Sequence, residues 1–178
     1  MKKKVTMQIL SLTVVFAFLC MPLAVNAQGS KANFAGKWAL NATKSDMGQP
    51  PQGQGQGGGM RMGGGDFTAT QEANLLTVER TRTGQDGQAV TTKSLYTLDG
   101  KVSVNTTARG ESKSTATWAA DGKSLTILTT RSFERDGQTT EMKTTEVWSL
   151  TNPTTLSVVS TMNTPNGERK TTMVYDKK

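Results

Sequence analysis

Residues 75–98 read LLTVERTRTGQDGQAVTTKSLYTL, two Thr-rich halves around an Asp-Gly pair. Threonine, valine and aromatic residues favour strands, and Asp-Gly favours the tight turn of a β-hairpin. Related patterns recur at 125–150 and 156–175, and a fainter one at 102–120. Each unit has an apolar start, a polar tip and a return that ends in an aromatic residue. The sequence therefore predicts a series of consecutive hairpins.

Extending this pattern along the chain gives ten predicted strands and no stretch with helical periodicity. A meander of antiparallel strands removes its exposed edges when it closes into a barrel. The predicted fold class is all-β, an up-and-down antiparallel barrel of about 8–10 strands. The predicted strands lie near residues 34–41, 66–72, 75–83, 88–98, 101–108, 111–119, 124–134, 138–150, 155–163 and 168–176.

Two short motifs add a family resemblance. The segment Phe34-x-Gly36-Lys37-Trp38-x-Leu40-Asn41 resembles the N-terminal Gly-x-Trp motif of the lipocalin and fatty-acid-binding protein superfamily. Residues 171–178 are similar to the last strand of the fatty-acid-binding branch. The resemblance implies a lipocalin-like barrel that binds small hydrophobic molecules, with Gly36 and Trp38 as structural residues.

The same resemblance implies that Trp38 closes the floor of the barrel against an Arg of the last strand, here Arg169. The sequence departs from the fatty-acid-binding pattern in two places. A Gly-rich segment occupies the place of the helical lid, and Met173 stands where that branch has a carboxylate-binding Arg.

The first residues have the pattern of a secretory signal peptide. Three lysines at 2–4 precede the apolar stretch 5–19, and Val25-Asn26-Ala27 places small residues before a cleavage point. An apolar stretch of about 15 residues is shorter than the roughly 20 that a membrane-spanning helix needs. We therefore expect a signal peptide at 1–27, no stable membrane span after cleavage, and export to the periplasm or the extracellular space.

The remaining chain, 28–178, has the length of one domain. Within it, residues 48–65 consist mainly of Gly, Gln and Pro. Such a composition cannot bury enough apolar surface to offset its ordering entropy. The sequence thus predicts a single barrel domain with a disordered Gly/Gln-rich insert at 48–65, in a protein that we expect to be a monomer.

Composition excludes several classes of function. The chain has no His and one Cys, which leaves with the signal peptide, so we expect no imidazole base, no metal site and no cofactor. The formal charge of +7 falls to +4 without the three leader lysines, and no basic run follows a nucleic-acid backbone. We therefore expect neither an enzyme nor a nucleic-acid-binding protein.

Strand alternation predicts which side chains face the barrel interior. Charged residues collect on one face of each return strand, so the aromatic face is predicted to be inside. Apolar strand starts, including Val102 and Val104, then meet Tyr96, Trp118, Trp148 and Tyr175 at one end, which becomes an apolar floor. Arginines gather at the other end. The predicted ligand-binding residues are Arg80, Arg131, Arg169, Thr129, Trp118, Trp148 and Tyr175.

Two interpretations fit this arrangement. In the first, the barrel is a cup in which guanidinium groups near the mouth bind an anion and apolar walls bury its tail. In the second, the barrel is filled by its own side chains, and the protein is a non-catalytic envelope or matrix component without a ligand. Glu146 is unusual on an inner face, where it either pairs with an inner Arg or marks a bulge.

Overall fold

The computed structural model describes residues 30–48, 65–84, 87–107, 110–135, 138–164 and 167–178, and the statements below concern these residues. The predicted signal peptide at 1–27 lies outside them, as does the insert at 48–65 apart from its two end residues. No helix in the described ranges is long and apolar enough to cross a membrane.

The described residues form ten β-strands, and each lies within about two residues of its predicted bounds. The all-β prediction is therefore confirmed. The strands are β1 (Gly36–Leu40), β2 (Phe67–Glu72), β3 (Leu75–Thr83), β4 (Ala89–Thr97), β5 (Val102–Thr107), β6 (Gly110–Trp118), β7 (Ser124–Arg135), β8 (Gln138–Asn152), β9 (Thr155–Thr164) and β10 (Gly167–Lys177).

The strands follow one another in the up-and-down order of a meander. The sheet order is β4-β3-β2-β1-β10-β9-β8-β7-β6-β5, and all of the pairs are antiparallel. The first strand lies between β2 and β10, so the first and last strands are neighbours in the middle of the sheet order. Curling of this sheet brings its two outer strands, β4 and β5, next to each other.

Side chains, not a backbone ladder, join β4 to β5. Asn105 on β5 accepts a hydrogen bond from the Leu95 N–H through Oδ1 at 2.7 Å and donates through Nδ2 to the Leu95 carbonyl at 3.0 Å. Ser103 Oγ accepts from the Thr97 N–H at 2.8 Å. We call this junction the seam. Because Asn105 replaces both backbone groups of a strand partner, the seam closes the barrel.

The predicted inner faces hold for the strands joined by backbone ladders. Leu76 pairs with Tyr96, and Leu125 pairs with both Trp118 and Trp148, which places the apolar strand starts beside the aromatic residues as expected. These pairs lie at the floor end. The fully buried large side chains include Trp38, Trp148, Tyr175, Phe34, Leu76, Leu125, Ile127 and Leu156.

The predicted inner face of β5 is wrong. Val102 and Val104 are 60% and 51% exposed, whereas Ser103 and Asn105 are buried. The reason is the seam, since the inward side chains of β5 must bond to β4 and therefore have to be polar. The valines of this strand consequently lie on the outer surface.

Residues 30–35 close the floor from outside the strand meander. The Phe34 N–H donates to Gln71 Oε1 at 2.9 Å, Gln71 Nε2 donates to the Ala32 carbonyl at 2.9 Å, and the Ala32 N–H donates to the Gly122 carbonyl at 2.9 Å. These bonds tie the segment to β2 on one side and to the β6–β7 turn on the other. The segment therefore crosses the end of the barrel.

Trp38 belongs to this floor, but its expected partner is wrong. Its indole N–H donates to the Phe34 carbonyl at 2.8 Å, and the ammonium of Lys177 lies 5.5 Å from its ring centroid. Arg169 instead donates through Nη2 to the Met47 carbonyl at 3.3 Å. A cation of the last strand does cover the indole, but it is the lysine that lies across the β1–β10 ladder.

Candidate functional site

Two of the predicted arginines line the interior above the floor. Arg80 is the third inward residue of β3, after Leu76 and Val78, and its guanidinium carbon lies 5.0 Å from the Phe67 ring centroid. Arg131 is on β7, paired with Ser112 and Met142. Both side chains are half-buried. The strand alternation therefore brings two guanidinium groups into one lumen.

These guanidinium groups are incompletely satisfied within the described residues. The Nε atoms of Arg80 and Arg131 are buried and have no hydrogen-bond partner there. A buried donor without a partner costs about 1–3 kcal/mol, and more when it belongs to a charged group. The two arginines thus present buried donors of positive charge without an internal acceptor.

Arg169 has a different position from the other two. It lies on β10 opposite Met162, at the mouth end, and its Nη2 bonds to Met47 in the segment that follows β1. Its Nε is also buried without a partner. The structure thus brings Arg80 and Arg131 together and uses Arg169 to hold a neighbouring segment in place.

Small hydroxyl side chains line the middle of the barrel. Thr129 Oγ1 and Ser114 Oγ are 2.9 Å apart across the β6–β7 ladder, and Ser112 Oγ donates to the Asn105 carbonyl at 3.3 Å. Ser160 is fully buried two strands away, on β9. Short side chains therefore line the barrel at mid-height, whereas aromatic side chains fill the floor.

The floor itself is a packed aromatic cluster. Phe34 stacks on Trp118 with centroids 5.7 Å apart and contacts Trp148 edge-on at 5.8 Å. Phe67 contacts Trp148 at 5.5 Å and Tyr175 at 4.9 Å. Trp148 and Tyr175 therefore form the base of the lumen. Trp118 lies at the outer side of the same floor, which separates it from the arginines.

Glu146 faces the same lumen as the arginines. It pairs with Ile127 and Ser160, both buried, so the strand alternation is unbroken at this position, and the register shift of β8 comes later, between Leu150 and Asn152. Its Oε2 accepts a hydrogen bond from Trp148 Nε1 at 3.0 Å. Neither alternative in the sequence-based interpretation applies, because the partner of this carboxylate is an indole.

The charges inside the barrel affect the pKa values of Tyr96 and Tyr175. Burial raises the pKa of Tyr175 to about 12, with the positive charge of Arg80 acting against it and the negative charge of Glu146 adding to it. Burial also raises the pKa of Tyr96, Glu146 adds to that effect, and Arg80 and Arg131 oppose it. Both arginines and the glutamate thus act electrostatically on the Tyr96 hydroxyl.

A cleft of about 600 Å³ lies elsewhere, at the closed end of the barrel. Residues of two turns and of the N-terminal segment line it, among them Lys31, Leu98 and Trp118. The Lys31 ammonium lies 5.6 Å from the Trp118 ring centroid and covers the indole on this side. We assign no site to this cleft, because the arginines, Glu146 and the Ser and Thr side chains described above line the barrel interior and not the cleft.

Sequence reasoning missed two residues that shape the lumen. The sequence predicts Phe34 on a strand, but Phe34 lies in the segment that precedes β1 and packs into the floor. Asn105 closes the seam, and its only signal in the sequence was an amide in an otherwise Val/Thr/Ser strand. No group of three or more metal-binding side chains occurs among the described residues.

Ten antiparallel strands in up-and-down order around one lumen define a barrel of the calycin type, the fold of lipocalins and fatty-acid-binding proteins. Among solved structures, the zebrafish ileal bile acid-binding protein complexed with cholic acid matches this chain with a TM-score of 0.51 and 18% sequence identity, over 83% of this chain and 100% of that one. At this identity the likeness establishes the fold. No protein-family model matches the sequence, and no curated protein matches it at a significant level.

Proposed function

We propose that this protein is an exported, non-catalytic binding protein whose barrel holds a small amphiphilic molecule with an anionic group. One observation carries the proposal: Arg80 and Arg131 place buried, unpartnered guanidinium donors in a lumen that ends on an apolar floor. A carboxylate, sulfate or sulfonate supplies the acceptors that these donors lack. The tail of the molecule then lies toward Trp148 and Tyr175.

The position of the arginines also agrees with the departure of the last strand from the fatty-acid-binding pattern. Met173, which stands at the place of that carboxylate-binding Arg, is buried against the Tyr175 hydroxyl at 3.4 Å. The interior arginines of this chain are instead on β3 and β7. The matched bile acid-binding protein supports the general class of ligand, since cholic acid is the molecule in its complex.

Export rests on the leader pattern at 1–27, where lysines, an apolar stretch and small residues follow one another. A binding protein in the periplasm or outside the cell would meet amphiphiles of the envelope or the surroundings. The absence of His from the whole sequence supports a binding role over catalysis.

Titration calorimetry with two probes of equal tail length tests the proposal. Dodecyl sulfate supplies an anion and dodecyl maltoside a neutral head group, both used below their micelle concentrations. We expect Arg80→Met and Arg131→Met each to weaken dodecyl sulfate binding by about 1.5–3 kcal/mol, roughly 10- to 150-fold, and to leave maltoside binding unchanged. Lys113→Met is the matched control, because Lys113 is an exposed cation on the outer face of β6, opposite the exposed Val104.

Unchanged affinity for dodecyl sulfate in both variants would contradict the proposal. Native mass spectrometry of protein purified from its own host provides a second test, with a bound small molecule as the expected result. A consistently empty barrel with a fully packed interior would favour the competing function, a structural or interaction protein of the envelope or matrix.

A further inference from the structure

Glu146 is held inside the barrel by a specific contact. Its carboxylate accepts the indole hydrogen bond of Trp148, whose ring is fully buried in the floor. The side chain is half-buried and projects between Ile127 and Ser160 of the two adjacent strands. Because the floor fixes Trp148, Glu146 cannot turn toward the mouth without breaking this bond.

Glu146 and the arginines share the lumen without neutralising one another. Among the described residues, no ion pair or hydrogen bond joins Glu146 to Arg80 or Arg131. For Arg80 the strand order explains this, since β3 and β8 are five steps apart in either direction around the sheet order once the seam is closed. Arg80 and Glu146 therefore project from opposite walls. The opposing effects of Glu146 and the arginines on the pKa of Tyr96 agree with a shared interior.

The charges also have an order along the barrel axis. Glu146 pairs with Ile127, and Arg131 lies on the same strand as Ile127 but two inward positions nearer the mouth. From floor to mouth, this wall therefore presents apolar residues, a carboxylate and then a guanidinium. A ligand that contributed only an anion would match Arg131 but would bring its negative charge close to Glu146.

We propose that the ligand is a zwitterionic amphiphile whose cationic group stands between its tail and its anionic group. The tail lies on the aromatic floor, the cation faces Glu146, and the anion lies against Arg131, nearer the mouth. This inference rests on the proposed function and assigns Glu146 as the residue that determines specificity. It follows from charge complementarity on the β7–β8 wall, because the cation then meets Glu146 and the anion meets Arg131.

Three dodecyl probes distinguish the possibilities. Dodecyl sulfobetaine has its ammonium next to the tail and its sulfonate at the end, dodecylphosphocholine has the reverse order, and dodecyl sulfate has no cation. We expect the wild-type protein to bind the sulfobetaine about tenfold more tightly than either of the others. Glu146→Gln should weaken sulfobetaine binding about tenfold and strengthen dodecyl sulfate binding severalfold.

The glutamine substitution is suited to this test because its amide oxygen still accepts the Trp148 hydrogen bond, so the fold is retained. Glu141→Gln is the control, since Glu141 is an exposed residue on the same strand, and we expect it to change none of the three affinities. If Glu146→Gln shifts the sulfobetaine and dodecyl sulfate affinities equally, or if phosphocholine binds best, the inference is overturned while the proposed function stands. If none of the three probes binds, the proposed function itself fails.

Discussion

Asn105 gives the structure its most direct test, because a single side chain replaces a stretch of backbone ladder. Replacing it with leucine keeps the approximate volume and removes both the 2.7 Å and the 3.0 Å hydrogen bonds to Leu95. The Leu95 N–H and carbonyl then lose their partner at the seam. We expect Asn105→Leu to lower the free energy of unfolding more than any substitution at an exposed strand position.

The magnitude follows from the cost of unsatisfied backbone groups. Each buried donor or acceptor without a partner costs about 1–3 kcal/mol. The contacts at Leu95 are only part-buried, so water recovers some of this loss, and the two groups together should cost about 2–4 kcal/mol. Asn105→Asp keeps the acceptor for the Leu95 N–H and loses the donor, so it should cost about half as much.

Urea unfolding followed by tryptophan fluorescence measures this loss, and amide hydrogen exchange locates it. The Leu95 and Thr97 amides should exchange faster in Asn105→Leu, while the amides of the β9–β10 hairpin keep their protection relative to global unfolding. Asn163→Leu is the matched control, because it makes the same substitution at an exposed strand position. If Asn105→Leu unfolds within about 0.5 kcal/mol of the wild type and its seam amides exchange unchanged, Asn105 does not hold the barrel closed.

Two further predictions test the floor. Leu125→Ala should lower the free energy of unfolding by about 2–5 kcal/mol, because Leu125 is fully buried. Leu128 lies on the outer face of the same strand and is 44% exposed, so Leu128→Ala should cost less than about 0.5 kcal/mol. Equal costs would contradict the assigned faces. The pKa of Tyr175 is raised to about 12 in the folded protein, so the unfolded chain loses the Tyr175 proton at a lower pH than the folded protein does. The stabilisation linked to Tyr175 is therefore complete below about pH 10 and is lost between about pH 10 and 12. The loss should be roughly 2–3 kcal/mol of unfolding free energy. Tyr175→Phe should flatten this dependence in urea titrations, and an unchanged slope would contradict the assignment.

Most of the fold could be predicted from the sequence because hairpins are local. Each strand pair is set by a turn such as Asp121-Gly122 and by the alternation of its own residues, so the strands and most inner faces follow from short segments. The inward positions of Arg80 and Arg131 follow from the same alternation. Their lack of partners could not be predicted, since it depends on which strands face each other across the barrel.

Two errors in the predictions have a shared cause, because both involve contacts between segments that are distant in the sequence. The cation over Trp38 is Lys177, and this choice depends on the register of β1 against β10. Phe34 reaches the floor because Gln71, far along the chain, binds the backbone around it. Alternation within one strand contains no information about either contact.

The seam explains why hydrophobic alternation failed on β5 and succeeded elsewhere. A strand with two backbone neighbours has its polar backbone groups satisfied, so its inward side chains are free to be apolar and to build the core. A strand at a junction without a ladder must use side chains to satisfy the backbone of its neighbour, and Ser103 and Asn105 do this for β4. Its valines are then left for the outer face. In a closed meander, a strand whose inward-facing side chains are polar therefore indicates the junction at which the barrel closes.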